Sequence, residues 1–200
     1  MRVFQIDTMR LNNFYNAMRN RDQLIYDFKE VSKRYVLPSY IEEIVGALCS
    51  DTLQADQITK VLESYNLNHS IAKVDFIHLL LVYINIALED SILTTEEKEN
   101  VVFLKRAFKI SPGDFFMYNM FQSEEIIRFQ LLQAYQDNFI DSQEAVLKTD
   151  LQEIFDLSFD QMNEYAKPEA LKSIHHGADP KDLDIVLSNK EYFNLKSKSK

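Results

Sequence analysis

Carboxylates with the spacing of metal ligands are the residues most able to do chemistry in this chain. In AYQDNFIDSQEAV, residues 134–146, Asp137, Asp141 and Glu144 fall at positions 5, 9 and 12 of a calcium-type loop. Such a loop surrounds a hard cation with oxygens at positions 1, 3, 5, 7, 9 and 12 and uses glycine at 6 for its sharp turn. Here positions 1 and 3 are Gln133 and Tyr135, and position 6 is Asn138. An essential part of the cage is missing, so a high-affinity EF-hand is not expected. What remains is a set of oxygens that calcium or magnesium would take.

The same pattern occurs a second time, 47 residues earlier. ALEDSILTTEEKENVVFLKRAFKISPGDFFMY (87–118) lies on AYQDNFIDSQEAVLKTDLQEIFDLSFDQMNEY (134–165) without a gap, and Asp90/Asp137, Glu97/Glu144, Leu104/Leu151, Phe108/Phe155 and Ser111/Ser158 coincide. Repetition at this period predicts one helical unit used twice and packed against its copy.

The elements that would position these carboxylates are legible from their start signals. TTEE and DSQE place an N-cap Thr94 or Asp141 three residues ahead of Glu97 or Glu144. This is a capping box, in which the cap oxygen takes the amide proton three residues on and the glutamate reaches back to the cap's own N–H; each such cap contributes about 1 kcal/mol. Ser111 with Asp114 and Ser158 with Gln161 open the following helices in the same way. Glu97 and Glu144 thus have a structural role that needs no metal. Asp90 and Asp137 either bond turn amides, face the positive end of the next helix, or hold a divalent cation across the turn with the neighbouring carboxylates. The metal set under that last reading is Asp90, Glu97, Asp137, Asp141 and Glu144.

A buried helix ending in Asp, then an apolar residue and Ser or Thr, then Glu three on, then a helix closing on an apolar-Ser step, resembles the TerB-like domain of tellurite-resistance proteins. The residues that carry it are Asp90, Leu93, Thr94, Glu97, Leu104, Phe108, Ile110 and Ser111, recurring from Asp137 to Ser158, and it covers about residues 75–165. The resemblance implies a compact helical bundle, acidic residues that hold metal, and a part in stress response or phage and toxicant defence rather than a reaction. One departure is local: the family has Gly after the first Asp, where this chain has Ser91 and Asn138. Asn accepts the left-handed backbone more readily than Ser does.

Composition agrees with an all-α fold. The 200 residues include three glycines, four prolines and no tryptophan, which favours helices over a turn-rich β fold. Apolar spacing predicts helical structure from Leu11 to Pro38, two short amphipathic helices, and a helix from about Ile71 to Leu88 buried on most sides. About nine helices are expected, with residues 1–70 an N-terminal helical extension, 71–176 the tandem core, and 177–200 a short helix opened by Asp179-Pro180 and a flexible basic tail.

Other chemistry is poorly supplied. Cys49 is the one cysteine, and the histidines are His69, His78, His175 and His176, without the Glu-x-x-His spacing of a di-iron bundle. His175 and His176 stand before Gly177 at an expected helix end, and His78 reads as a core or boundary histidine. Neither a glycine-rich phosphate loop nor a Gly-x-Ser-x-Gly elbow is present. A net charge of −9 argues against nonspecific nucleic-acid binding, and the apolar run Leu79–Leu88 is too short to cross a bilayer. A non-enzymatic, cytoplasmic protein is expected. It would work through a protein partner or self-association at Phe14, Tyr15, Met18, Phe115, Phe116, Met117 and Phe121, with weak divalent-metal binding, or else as an adaptor subunit of a larger bacterial assembly with no metal role; the run 115–121 reads more strongly still as core packed between the repeats.

Overall fold

Helix-forming sequence with few glycines folds into helices alone: no strand occurs among the described residues, which are 22–50 and 56–188 in this computed structural model. Phe14, Tyr15 and Met18 lie outside them. The helices are α1 (Asp22–Arg34), α2 (Ser39–Leu48), α3 (Gln57–Ser64), α4 (Lys73–Ala87), α5 (Thr95–Ala107), α6 (Asp114–Ala134), α7 (Ser142–Ile154) and α8 (Phe159–His175), followed by a 3-10 turn at Pro180–Asp182.

Their ends follow the capping chemistry. Thr94, Asp141 and Ser158 each form a complete capping box with Glu97, Glu144 and Gln161. Ser111 is different. Its amide donates to the Asp114 carboxylate at 2.8 Å, but Gly113, at φ +86°, turns the chain and α6 begins only at Asp114. A second interruption lies inside α6, where Asn119 is non-helical (φ −150°, ψ 61°). The Ser123 hydroxyl donates to the Asn119 carbonyl at 2.8 Å and Asn119 Oδ1 accepts the Gln122 N–H, so Asn119 caps a new helical segment, 120–134.

With that break recognised, local features pair at the offset of 47. The segments 73–87 and 120–134 have the same length, as do α5 and α7. Left-handed residues follow in step: Ser91 (φ 60°) and Asn138 (66°), then Lys109 (55°) and Asp156 (53°). The Ile110 N–H donates to the Lys105 carbonyl at 2.8 Å and that of Leu157 to Gln152 at 2.9 Å, the wide ring of a helix-terminating Schellman motif.

The chain divides into two compact units, Met1–Ala87 with Thr94–Asp114, and Leu88–Leu93 with Phe115–Lys200. In the first unit α1 packs on α4 and α5, and α2 on α3. Its core holds Leu24, Phe28, Phe76, Leu80, Tyr83 and Leu104, with Phe76 stacked on Phe108 at 4.5 Å. All residues of α4 except Lys73, Val74, Asp75, His78 and Asn85 are buried, as its unbroken apolar run predicts. The second unit centres on Phe115, Ile127, Leu131, Leu151, Phe155 and Met162. The stretch 179–186 after α8 is tied into it: Leu183 is fully buried, its carbonyl accepts the Tyr135 hydroxyl at 2.9 Å, and the Asp182 carbonyl accepts the Ile140 N–H at 2.8 Å; the basic tail expected at the end of the sequence lies outside the described residues.

Candidate functional site

The carboxylates at the two turns are occupied with backbone. Asp90 Oδ1 accepts the Ile92 N–H and Asp137 Oδ1 the Phe139 N–H, both at 3.0 Å. These Asx turns hold the left-handed residue between them in place. Asp141 Oδ1 accepts the amides of Gln143 and Glu144, and Glu144 Oε2 accepts that of Asp141. In the second unit Asp90, Asp141 and Glu144 border one hollow of about 250 Å³. Burial raises the Glu144 pKa, the Asp141 amide opposes this, and the charges of Asp141 and Asp137 add to the rise.

The expected five-residue metal set is not brought together. Glu97 belongs to the first unit and is buried in its own capping box, and Asp137 does not border the hollow. No group of three or more His, Cys, Asp and Glu among the described residues is arranged to hold a metal ion. The physical reason is competition: oxygens that would face a cation already accept helix and turn amides.

The run 115–121 divides between the core and surface roles that its sequence allows. Phe115 is fully buried, 5.3 Å from Phe155 between ring centroids, and is core rather than surface. Phe116 is half-buried against Tyr165. Met117 and Phe121 are 74% and 80% exposed. Past the break at Asn119, Phe121 is followed along α6 by exposed Phe129 and Leu132, which sequence reasoning did not single out. The signal was present in the helical spacing of 121, 129 and 132, but periodicity marks an apolar face without saying whether anything covers it.

Phe121, Phe129 and Leu132 form the apolar side of a groove of about 460 Å³ between α6 and α8. Glu124, Glu125 and Arg128 line it from α6, and Glu169 and Lys172 from α8. Its cations are held internally: Arg128 lies 3.5 Å from Glu124 and Lys172 2.8 Å from Glu169. Arg128 also stands 5.2 Å over the Tyr165 ring, whose hydroxyl donates to Glu124 at 3.1 Å. A second hollow of about 370 Å³ shares Leu132, Glu169 and Lys172 and carries the groove on to Tyr135 and His176. The groove therefore follows α6 from Phe121 to Gln136, a path of about 22 Å at 1.5 Å per helical residue.

The histidines do not converge with either feature as a reactive set. His69, in the first unit, is pushed down to about 4 by burial and then by Lys109 and Lys73. His78 is exposed, not a core or boundary residue. His175 Nδ1 lies 2.6 Å from the Leu171 carbonyl, and His176 ends α8 ahead of Gly177 (φ +103°).

No family model, curated protein or solved structure matches this chain. The groove and the turn hollow are the features from which function has to be argued. No helix among the described residues is long and apolar enough to cross a membrane.

Proposed function

We propose that the protein is a non-enzymatic helical module that works by docking another protein in the groove between α6 and α8. One observation carries this reading: Phe121, Phe129 and Leu132 stay substantially exposed along the single helical segment 120–134 and line one groove, at spacing that lets one partner touch them together. Contiguous exposed apolar surface marks interaction sites in soluble proteins, and methionine and phenylalanine adapt well to a partner's side chains. The TerB-like resemblance would place such docking in a stress or defence response.

The test is a photo-reactive amino acid at position 129, with a control at exposed Phe139 in the turn after α6. Position 129 should give a covalent adduct with a discrete protein, lost when Phe121→Gln is added. No adduct, or the same adduct from position 139, would contradict the reading.

A second reading, weak calcium or magnesium binding, would use Asp90, Asp141 and Glu144, which border one hollow without forming a ready ligand cluster. Millimolar calcium should then raise Tm by mass action, and Asp141→Asn should remove the rise. Calorimetry without heat at that concentration would end it.

A further inference from the structure

We infer that the groove between α6 and α8 receives a basic amphipathic helix from a partner protein, which rests on the docking reading above and names the partner's chemistry. Three observations support it.

The first is charge. The described residues of the second unit carry 16 Asp and Glu against 5 Lys and Arg, whereas those of the first carry 12 against 9. The groove is lined by Glu124, Glu125 and Glu169 against Arg128 and Lys172, each of these two paired with a glutamate, so carboxylates outnumber cations along it. Complementary charge steers association and rejects like-charged partners.

The second is shape. A path of about 22 Å suits roughly four helical turns, and its apolar wall of Phe121, Phe129 and Leu132 offers contacts at both ends to the apolar face of a helix laid alongside.

The third comes from the other unit. Val82 in α4 is 1% exposed, while Phe129, 47 residues later, is 54% exposed; the difference is confined to the middle of the face, since Val74 and Phe121 are both exposed, as are Asn85 and Leu132. The unit containing α4 has three described helices ahead of it, and α1 packs on α4 and α5. In the second unit no described helix precedes α6. A helix supplied from outside would give α6 the cover that α4 has from its own chain.

The experiment titrates the full-length protein, by fluorescence anisotropy, with three labelled 15-residue peptides of helical amphipathic pattern: Leu/Lys, Leu/Gln and Leu/Glu. Leu/Lys should bind about tenfold or more tighter than Leu/Glu, with affinity falling as salt rises. Phe129→Gln and, separately, Phe121→Gln should each weaken Leu/Lys about five- to tenfold, while Phe139→Gln changes it less than about twofold. All three leave charge unchanged and replace exposed side chains, and circular dichroism checks the fold. If Leu/Gln or Leu/Glu binds as well as Leu/Lys and is lost in Phe129→Gln, the groove docks helices but the inferred basic chemistry is wrong. If no peptide responds to either groove variant, the docking reading itself falls. If sedimentation finds a dimer that Phe129→Gln dissociates and Leu/Lys does not compete for, a second copy is the occupant and the inference is overturned.

Discussion

The segments beginning at Lys73 and at Met120 run through the same order of helix, Asx turn, capping box, helix and Schellman end, yet they bury and expose different chemistry. Where α5 places Val101 and Phe103 in its core, α7 places Lys148 and Asp150. Tyr83 in α4 gives way to Gln130 in α6, whose Nε2 donates to the Leu88 carbonyl at 3.0 Å. The outward face changes in the other sense, from buried Val82 to exposed Phe129. Backbone punctuation is thus the shared part. Side chains decide that the middle of that face is enclosed at Val82 and open at Phe129.

The largest effects should come where the two segments agree most. Phe108 and Phe155 are both fully buried, so Phe108→Ala and Phe155→Ala should each cost about 3–5 kcal/mol by chemical denaturation. A small loss at one and a large loss at the other would break the correspondence at its core.

Next comes the buried lysine that distinguishes α7. Lys148 Nζ lies 2.7 Å from Asp184 Oδ2 and 3.4 Å from the Tyr135 hydroxyl, fixing the chain after α8. Asp184 is itself exposed, so it regains water when its partner is lost. Lys148→Ala should therefore cost about 1–2 kcal/mol, below the 3–5 of a fully buried pair, and should raise proteolysis near 184. Replacement by Val, the residue at 101, should be closer to neutral.

Asp27 separates the units by pH. It is 2% exposed, Gln23 donates to its Oδ1 at 2.8 Å, and its Oδ2 has no partner. Burial raises its pKa, Tyr83 and Gln23 oppose, and the charge of Glu97 adds to the rise. A carboxyl raised in the folded state contributes stability fully below its unfolded value, near pH 4, and loses it as pH rises through the folded one. Asp27→Asn should therefore be more stable than the parent at pH 7 by on the order of 1 kcal/mol. The gain should shrink at pH 4. A loss at pH 7 would mean the ionised carboxylate is well accommodated.

The smallest effects belong to the turns. Ser91 and Asn138 both hold positive φ, the conformation glycine adopts without penalty. Ser91→Gly should stabilise by about 0.5–1 kcal/mol and Asn138→Gly by less, because Asn already tolerates that region.

These turns also mark how far the sequence could be read. Helix starts at Thr94, Asp141 and Ser158 and the burial of α4 were legible because capping and periodicity are local rules. The late start of α6 depends on Gly113 and Asn119, which break a continuous apolar pattern without changing its period. The candidate site was harder. Phe115 and Phe121 are alike in sequence, and only the helices packed around them bury one and expose the other. The carboxylates were found, but spacing alone does not tell whether their oxygens will face a cation or a backbone amide.

The central claim, that α6 is open at Phe129 where α4 is covered at Val82, is tested most directly by amide hydrogen exchange with and without the Leu/Lys peptide. The account predicts slower exchange confined to residues 121–136 and 164–176, abolished by Phe129→Gln, with 73–87 unchanged. Equal slowing in both helices, or slowing that survives Phe129→Gln, would contradict it.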